Sequence, residues 1–142
     1  MNKRNILVLL LLALVLTIVL SGCRKAEFSV SINEDRTAEI NAKNAGTDMF
    51  SGAGGFIVEE GQKIHVEPSL NKGEINLKFS TSDLGIDANV KDLMSAASGD
   101  NAVLEVKING KEPSDHEIEP DDYYVYAQVL SKAEGTILIT AR

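Results

Sequence analysis

Few side chains in this 142-residue chain are of a type that does chemistry, and most of them stand apart from one another. The single cysteine, Cys23, supplies the one thiol. The two histidines differ in setting: His65 alternates with apolar residues between Lys63 and Glu67, and His116 sits in the acidic stretch Ser114-Asp115-His116-Glu117. A catalytic imidazole needs an orienting carboxylate and a nucleophile brought to it by the fold, and no serine elbow or catalytic-cysteine motif accompanies either histidine. Both are expected as solvated surface residues. Two isolated histidines without further cysteines make no zinc pattern. Acidic residues gather in two places, Asp83, Asp87, Asp92 and Asp100, and then Glu117, Glu119, Asp121 and Asp122. Calcium favours such oxygen donors, but the Asp-x-Asp-x-Asp-Gly loop is absent, so a solvated acidic surface is expected. Ser51-Gly52-Ala53-Gly54-Gly55 lacks the Lys-Ser/Thr of a phosphate loop and opens onto a strand, so it reads as a loop or bulge. No cofactor or metal is implied.

The remaining candidate is a face. Tyr124, Tyr126 and Gln128 alternate with Tyr123, Val125 and Ala127, so the first three project from the opposite side of a strand. Two tyrosines on a wet sheet face can stack on a sugar or meet a protein partner.

The elements that must position these groups are mostly strands, because the dominant periodicity is two. Phe28, Val30 and Ile32 alternate with serines, Asn33-Glu34-Asp35-Arg36 reads as a turn, and Ala38, Ile40 and Ala42 complete a hairpin. Phe56-Ile57-Val58 leads into the turn Glu59-Glu60-Gly61; Ile64 and Val66 follow, then a turn at Asn71-Lys72-Gly73, then Ile75, Leu77 and Phe79. Leu104, Val106 and Ile108 end at Asn109-Gly110, a strong turn dipeptide. The Tyr123–Val129 alternation and, beyond Gly135, Ile137-Leu138-Ile139 bring the expectation to about eight strands. Val90, Leu93, Met94 and Ala97 fall at i, i+3, i+4 and i+7, which predicts one short helix near 87–98 stopped by Gly99. Short strands, regular turns and no βαβ alternation point to a mostly β, antiparallel sandwich or jelly-roll-like domain over 27–142.

The start of the chain has a different grammar. Lys3 and Arg4 precede an uncharged apolar run of 15 residues, 6–20. As a helix that run rises about 22 Å, short of the roughly 30 Å hydrocarbon core, so a signal segment over 1–22 is expected in preference to a permanent span. Positive charge ahead of the run keeps the N-terminus cytoplasmic and exports the chain beyond the run. The run ends in Leu20-Ser21-Gly22-Cys23, which resembles the lipobox of bacterial lipoproteins at all four positions. That resemblance implies a diacylglyceryl thioether on the Cys23 sulfur and cleavage before Cys23 by signal peptidase II, which reads Leu20, Ser21 and Gly22. It further implies acylation of the new α-amine. Two or three acyl chains make detachment negligible at about 0.8 kcal/mol per buried CH₂. Residues 23–26 then form a lipidated tether, in which 24–26 reach at most about 10 Å. The expected location is the extracytoplasmic face of the cell membrane, or, in a two-membrane cell, the outer membrane, since the resemblance to lipoproteins implies that Arg24 in place of Asp favours outward sorting.

Without 1–22 the charge is more acidic. Of 14 Lys and Arg, Lys3 and Arg4 are removed, leaving 12 against 21 Asp and Glu, a net −9. Such a surface repels phosphate backbones, which argues against a nucleic-acid partner. With one cysteine the domain holds no internal disulfide. Gly55-Phe56-Ile57-Val58, Gly73-Glu74-Ile75-Asn76-Leu77, Tyr124-Val125-Tyr126 and Gly135-Thr136-Ile137-Leu138-Ile139 look like small envelope β-sandwich lipoproteins of unassigned function. The leading expectation is a non-enzymatic binding module, anchored to the membrane through Cys23 and engaging a protein or an extracellular ligand. A small carbohydrate-active enzyme or hydrolase using paired carboxylates is the alternative, and a purely structural envelope protein is the third reading.

Overall fold

The computed structural model describes residues 25–81 and 102–142. Seven strands form one antiparallel sheet: β1 Glu27–Ile32, β2 Ala38–Ala45, β3 Phe50–Val58, β4 Ile64–Ser80, β5 Ala102–Ile108, β6 Ser114–His116 and β7 Asp121–Ala141. The fold is the mostly β, sandwich-like class that the alternation called for. The helix expected near 87–98, Asp83 to Asp100 and the lipobox residues lie outside the described residues.

The organising feature is a pair of long strands. β4 and β7 run antiparallel from Ile64 opposite Ala141 to Ser80 opposite Tyr124. β2 and β3 lie end to end along the free side of β7, β2 against 133–139 and β3 against 121–128. β6 and β5 line the far side of β4 in the same way. The sheet is therefore four lanes wide, with β1 added outside β2, and every lane breaks or bends at one level. This level is the loop after Ala45, residues 131–135 of β7, residues 70–75 of β4, and the loop after Ile108.

The bend explains two turns that proved to be continuous strand. Asn71-Lys72-Gly73 and Gly135 both read as strand boundaries, yet each sits inside a long strand. Gly73 (φ 91°) and Gly135 (φ 137°) hold left-handed backbone there. A Cβ on Gly73 would stand 2.4 Å from the Lys132 carbonyl oxygen, and one on Gly135 2.2 Å from that of Ser69. Only glycine lets the two backbones cross this closely. The register slips by one residue across the bend: Leu70 faces Gly135, whereas Ile75 faces Val129. In a flat sheet such a slip would turn the apolar side chains outward. Here it moves the inward set of β4 from Ile64, Val66 and Leu70 to Ile75, Leu77 and Phe79. Both sets stay buried because the sheet itself has turned, the way corners form in orthogonal packing.

The two half-sheets bury their inner faces in a single apolar cluster. The half that holds β1, β2 and β6 contributes Ile40, Ile64, Val66, Ile137 and Ile139; the other contributes Phe56, Leu77, Phe79, Tyr123, Val125 and Val129. Phe56 and Phe79 meet with ring centroids 5.9 Å apart. The open side is tied where the Val30 N–H donates to Ser51 Oγ at 3.1 Å, joining β1 of one half to β3 of the other. The Tyr123 hydroxyl donates to the Glu119 carbonyl at 2.6 Å, which satisfies the one polar atom of a ring otherwise given over to the core.

Candidate functional site

The outer face of the second half-sheet carries the residues singled out by their alternation. Tyr124, Tyr126 and Gln128 point away from the core, while Tyr123, Val125 and Ala127 fill it. Phe50 of β3 joins them, its ring 5.8 Å from that of Tyr126, and the Tyr124 and Tyr126 rings are 6.3 Å apart with planes inclined by 16°. The result is an aromatic strip, Phe50–Tyr126–Tyr124, crossing from β3 to β7. Tyr126 in its middle is only 6% exposed, so it braces its neighbours; Phe50, Tyr124 and Gln128 are half-buried.

The glycine-rich stretch makes this strip possible. It is neither loop nor phosphate cradle but strand β3, with a bulge between Ala53 and Phe56 where Gly55 adopts φ 93°. Gly52 pairs directly with Tyr126, and a Cβ there would lie 2.3 Å from the ring. A Cβ on Gly54 would lie 2.5 Å from the Tyr124 ring. Bare glycine backbone thus forms a floor on which the tyrosines lie, the aromatic cover that strand glycines otherwise lack. Beside the strip, Asn76 is 6% exposed; its Nδ2 donates to Glu105 Oε1 at 2.8 Å, while its Oδ1 has no hydrogen-bond partner.

A second constellation lies at the end of the first half-sheet. Pairing of β6 with β4 sets Asp115 opposite His65, whose Nδ1 is 2.6 Å from Asp115 Oδ1. The His65 side chain is 13% exposed, so it is a paired, mostly covered residue and not the solvated one its alternation implied. The contact assigns the imidazole proton to Nδ1, which donates to the carboxylate. In that tautomer Arg142 Nη2, 3.0 Å from the same nitrogen, acts as a neighbouring charge, because both groups are donors. Lys63 and Glu117 pair at 2.8 Å beside them. The His65 hydrogen bond holds the Asp115 carboxyl below its ordinary range, and the Lys63 hydrogen bond does the same for Glu117. On the other side of β6, Ser114 Oγ and His116 Nε2 are 2.8 Å apart.

The chemistry open to this edge follows from strand geometry. Ser114 and His116 share one side of β6, and alternation sends Asp115 to the other, where it serves His65. The nucleophile–base pair and the orienting carboxylate of a triad are therefore turned away from each other. A general acid needs a raised carboxyl pKa, whereas Asp115 and Glu117 are both lowered by cationic or hydrogen-bonding partners. Among the described residues no group of three or more His, Cys, Asp or Glu is placed to hold a metal ion.

The alternation of Tyr124, Tyr126 and Gln128 identified their shared face, but Phe50, Gly52, Gly54, Asn76 and the β6 pairings went unread. One signal was present: Gly-x-Gly in β3 and Tyr-x-Tyr in β7 share a period of two. No protein-family model, no curated protein and no solved structure matches this chain.

Proposed function

We propose that this chain is a lipid-anchored bacterial envelope lipoprotein whose β domain is a non-enzymatic binding module. The aromatic strip carries the binding part of this reading. Seven aromatic residues serve the whole chain, and three of them, Phe50, Tyr124 and Tyr126, lie on the side away from the core. Ring area outside the core, on a rigid glycine floor and rimmed by Gln128, suits a protein or an extracellular ligand with an apolar face. The anchoring part rests on Leu20-Ser21-Gly22-Cys23.

Two experiments test it. Cys23→Ala should move the protein out of the membrane fraction and abolish incorporation of a labelled fatty acid; retention at wild-type level would sink the anchor. A photo-crosslinking residue placed at Tyr124 in cells should give a discrete adduct that the same residue placed at Lys111, in the loop after β5, does not. Identical patterns from both positions would sink the binding face.

A further inference from the structure

Sheet edges carry unpaired N–H and C=O groups, and proteins guard them. The edges among the described residues are guarded unequally. β1 and β3, each paired with one strand only, are tied to each other where the Val30 N–H donates to Ser51 Oγ, and β3 is bulged between Ala53 and Phe56. β6 is three residues long, follows Pro113 and is stapled by Asp115–His65. β5 is the terminal strand of its half-sheet and seven residues long, without proline or glycine. Its pairing with β4 is regular from Leu104 to Ile108, and Val103 on its outer face is 51% exposed.

We infer that β5 pairs with β5 of a second copy of this chain, antiparallel and centred on Val106. The charge pattern selects that register. A two-fold pair must match residues of the same face, so the centre falls on a residue and not between two. Centred on Glu105 or on Lys107, the pair sets like charges against each other. Centred on Val106, it sets Glu105 opposite Lys107 of the partner subunit and Lys107 opposite the partner's Glu105. On the inner face Val106 then meets the partner's Val106, and Leu104 meets the partner's Ile108, continuing the apolar layer. Alternating charge would guard this edge against most strands, but against its own copy it is complementary. Glu105 is also held for the contact: Asn76 Nδ2 donates to its Oε1 at 2.8 Å, which orients the carboxylate on the outer face. Joined this way, two four-stranded half-sheets become one sheet through main-chain hydrogen bonds, the mode of β-augmentation.

The test uses the full chain purified from membranes in detergent, with mass measured by sedimentation and folding checked by circular dichroism. The wild type should sediment as a dimer. Lys107→Glu and Glu105→Lys should each weaken self-association by on the order of tenfold or more while keeping the β spectrum. Mixed one to one, the two variants should recover the dimer, because each glutamate then faces a lysine. A monomeric wild type, an unweakened Lys107→Glu variant, or two folded variants that fail to pair on mixing would each overturn the inference.

Discussion

Glycine serves two regions of this molecule for opposite reasons. At the bend, Gly73 and Gly135 let backbone approach backbone, and both hold left-handed φ values. On the outer face, Gly52 and Gly54 let tyrosine rings lie against β3, and neither has a left-handed φ. The first pair answers a constraint of chain path, the second one of surface construction. An obstacle made of backbone cannot be removed by substitution, whereas one made of a side chain can.

The comparison is most exposed at Gly135. Gly135→Ala combines a strained φ with a Cβ driven into the Ser69 carbonyl, and about 3 kcal/mol or more of stability should be lost. Chemical denaturation reads this loss, and no side-chain truncation nearby should restore it. Gly52→Ala should cost about 1–2 kcal/mol, and combining it with Tyr126→Ala should cost clearly less than the sum of the two singles. Additive losses in that cycle would mean the ring and the glycine are independent, and the floor would have no meaning. Tyr123→Phe, which leaves the ring in the core and strands the Glu119 carbonyl, should cost about 1 kcal/mol by the same measurement. Gly46→Ala is the control: a Cβ there meets nothing within 4 Å, and stability should stay within about 0.5 kcal/mol of wild type.

The ion pairs between the β6 segment and the start of β4 predict the smallest effect, read as a pH dependence. Asp115 and Glu117 have lowered carboxyl pKa values, so the folded state binds their protons less readily than the unfolded chain. Their contribution is fully present above the ordinary carboxyl values of 3.8 and 4.5 and drains as pH falls through the lowered ones. The melting temperature of the Asp115→Asn, Glu117→Gln double variant should therefore fall less steeply between neutral pH and about pH 3 than that of the wild type. Parallel curves would show that these pairs add nothing, as is common for solvated ion pairs.

Legibility in the sequence followed the range of the interactions. Phe28, Val30 and Ile32 announced β1 because burial on one face imposes a period of two within six residues. The hairpin turn at 33–36 was equally local, with Asn33 N–H bonded to Thr37 O at 2.8 Å and Arg36 in left-handed φ 66°. Gly73 and Gly135 misled, because a glycine that permits a strand to bend has the same local signature as one that ends it. β6 gave no periodicity at three residues, and His65 counted as surface because its partner lies 50 residues away. The stretch 51–55 read as a loop or bulge, and the bulge is present between Ala53 and Phe56, but the placement of Gly52 and Gly54 in a strand stayed hidden because the rings that cover them belong to a strand some 70 residues later.

By itself, the sequence determined the class of fold, the phases of its strands, the side of β7 on which Tyr124, Tyr126 and Gln128 stand, and the expectation of a lipid-anchored exported chain. These depend on neighbours a few residues apart, where alternation and composition act directly. Only the tertiary structure decided that β4 and β7 cross the bend unbroken. It alone laid the tyrosines on glycine, gave Asp115 to His65 in place of His116, and left β5 as a terminal strand among the described residues. Each of those depends on which distant strands share a register, and a one-residue slip between partners is enough to reverse it.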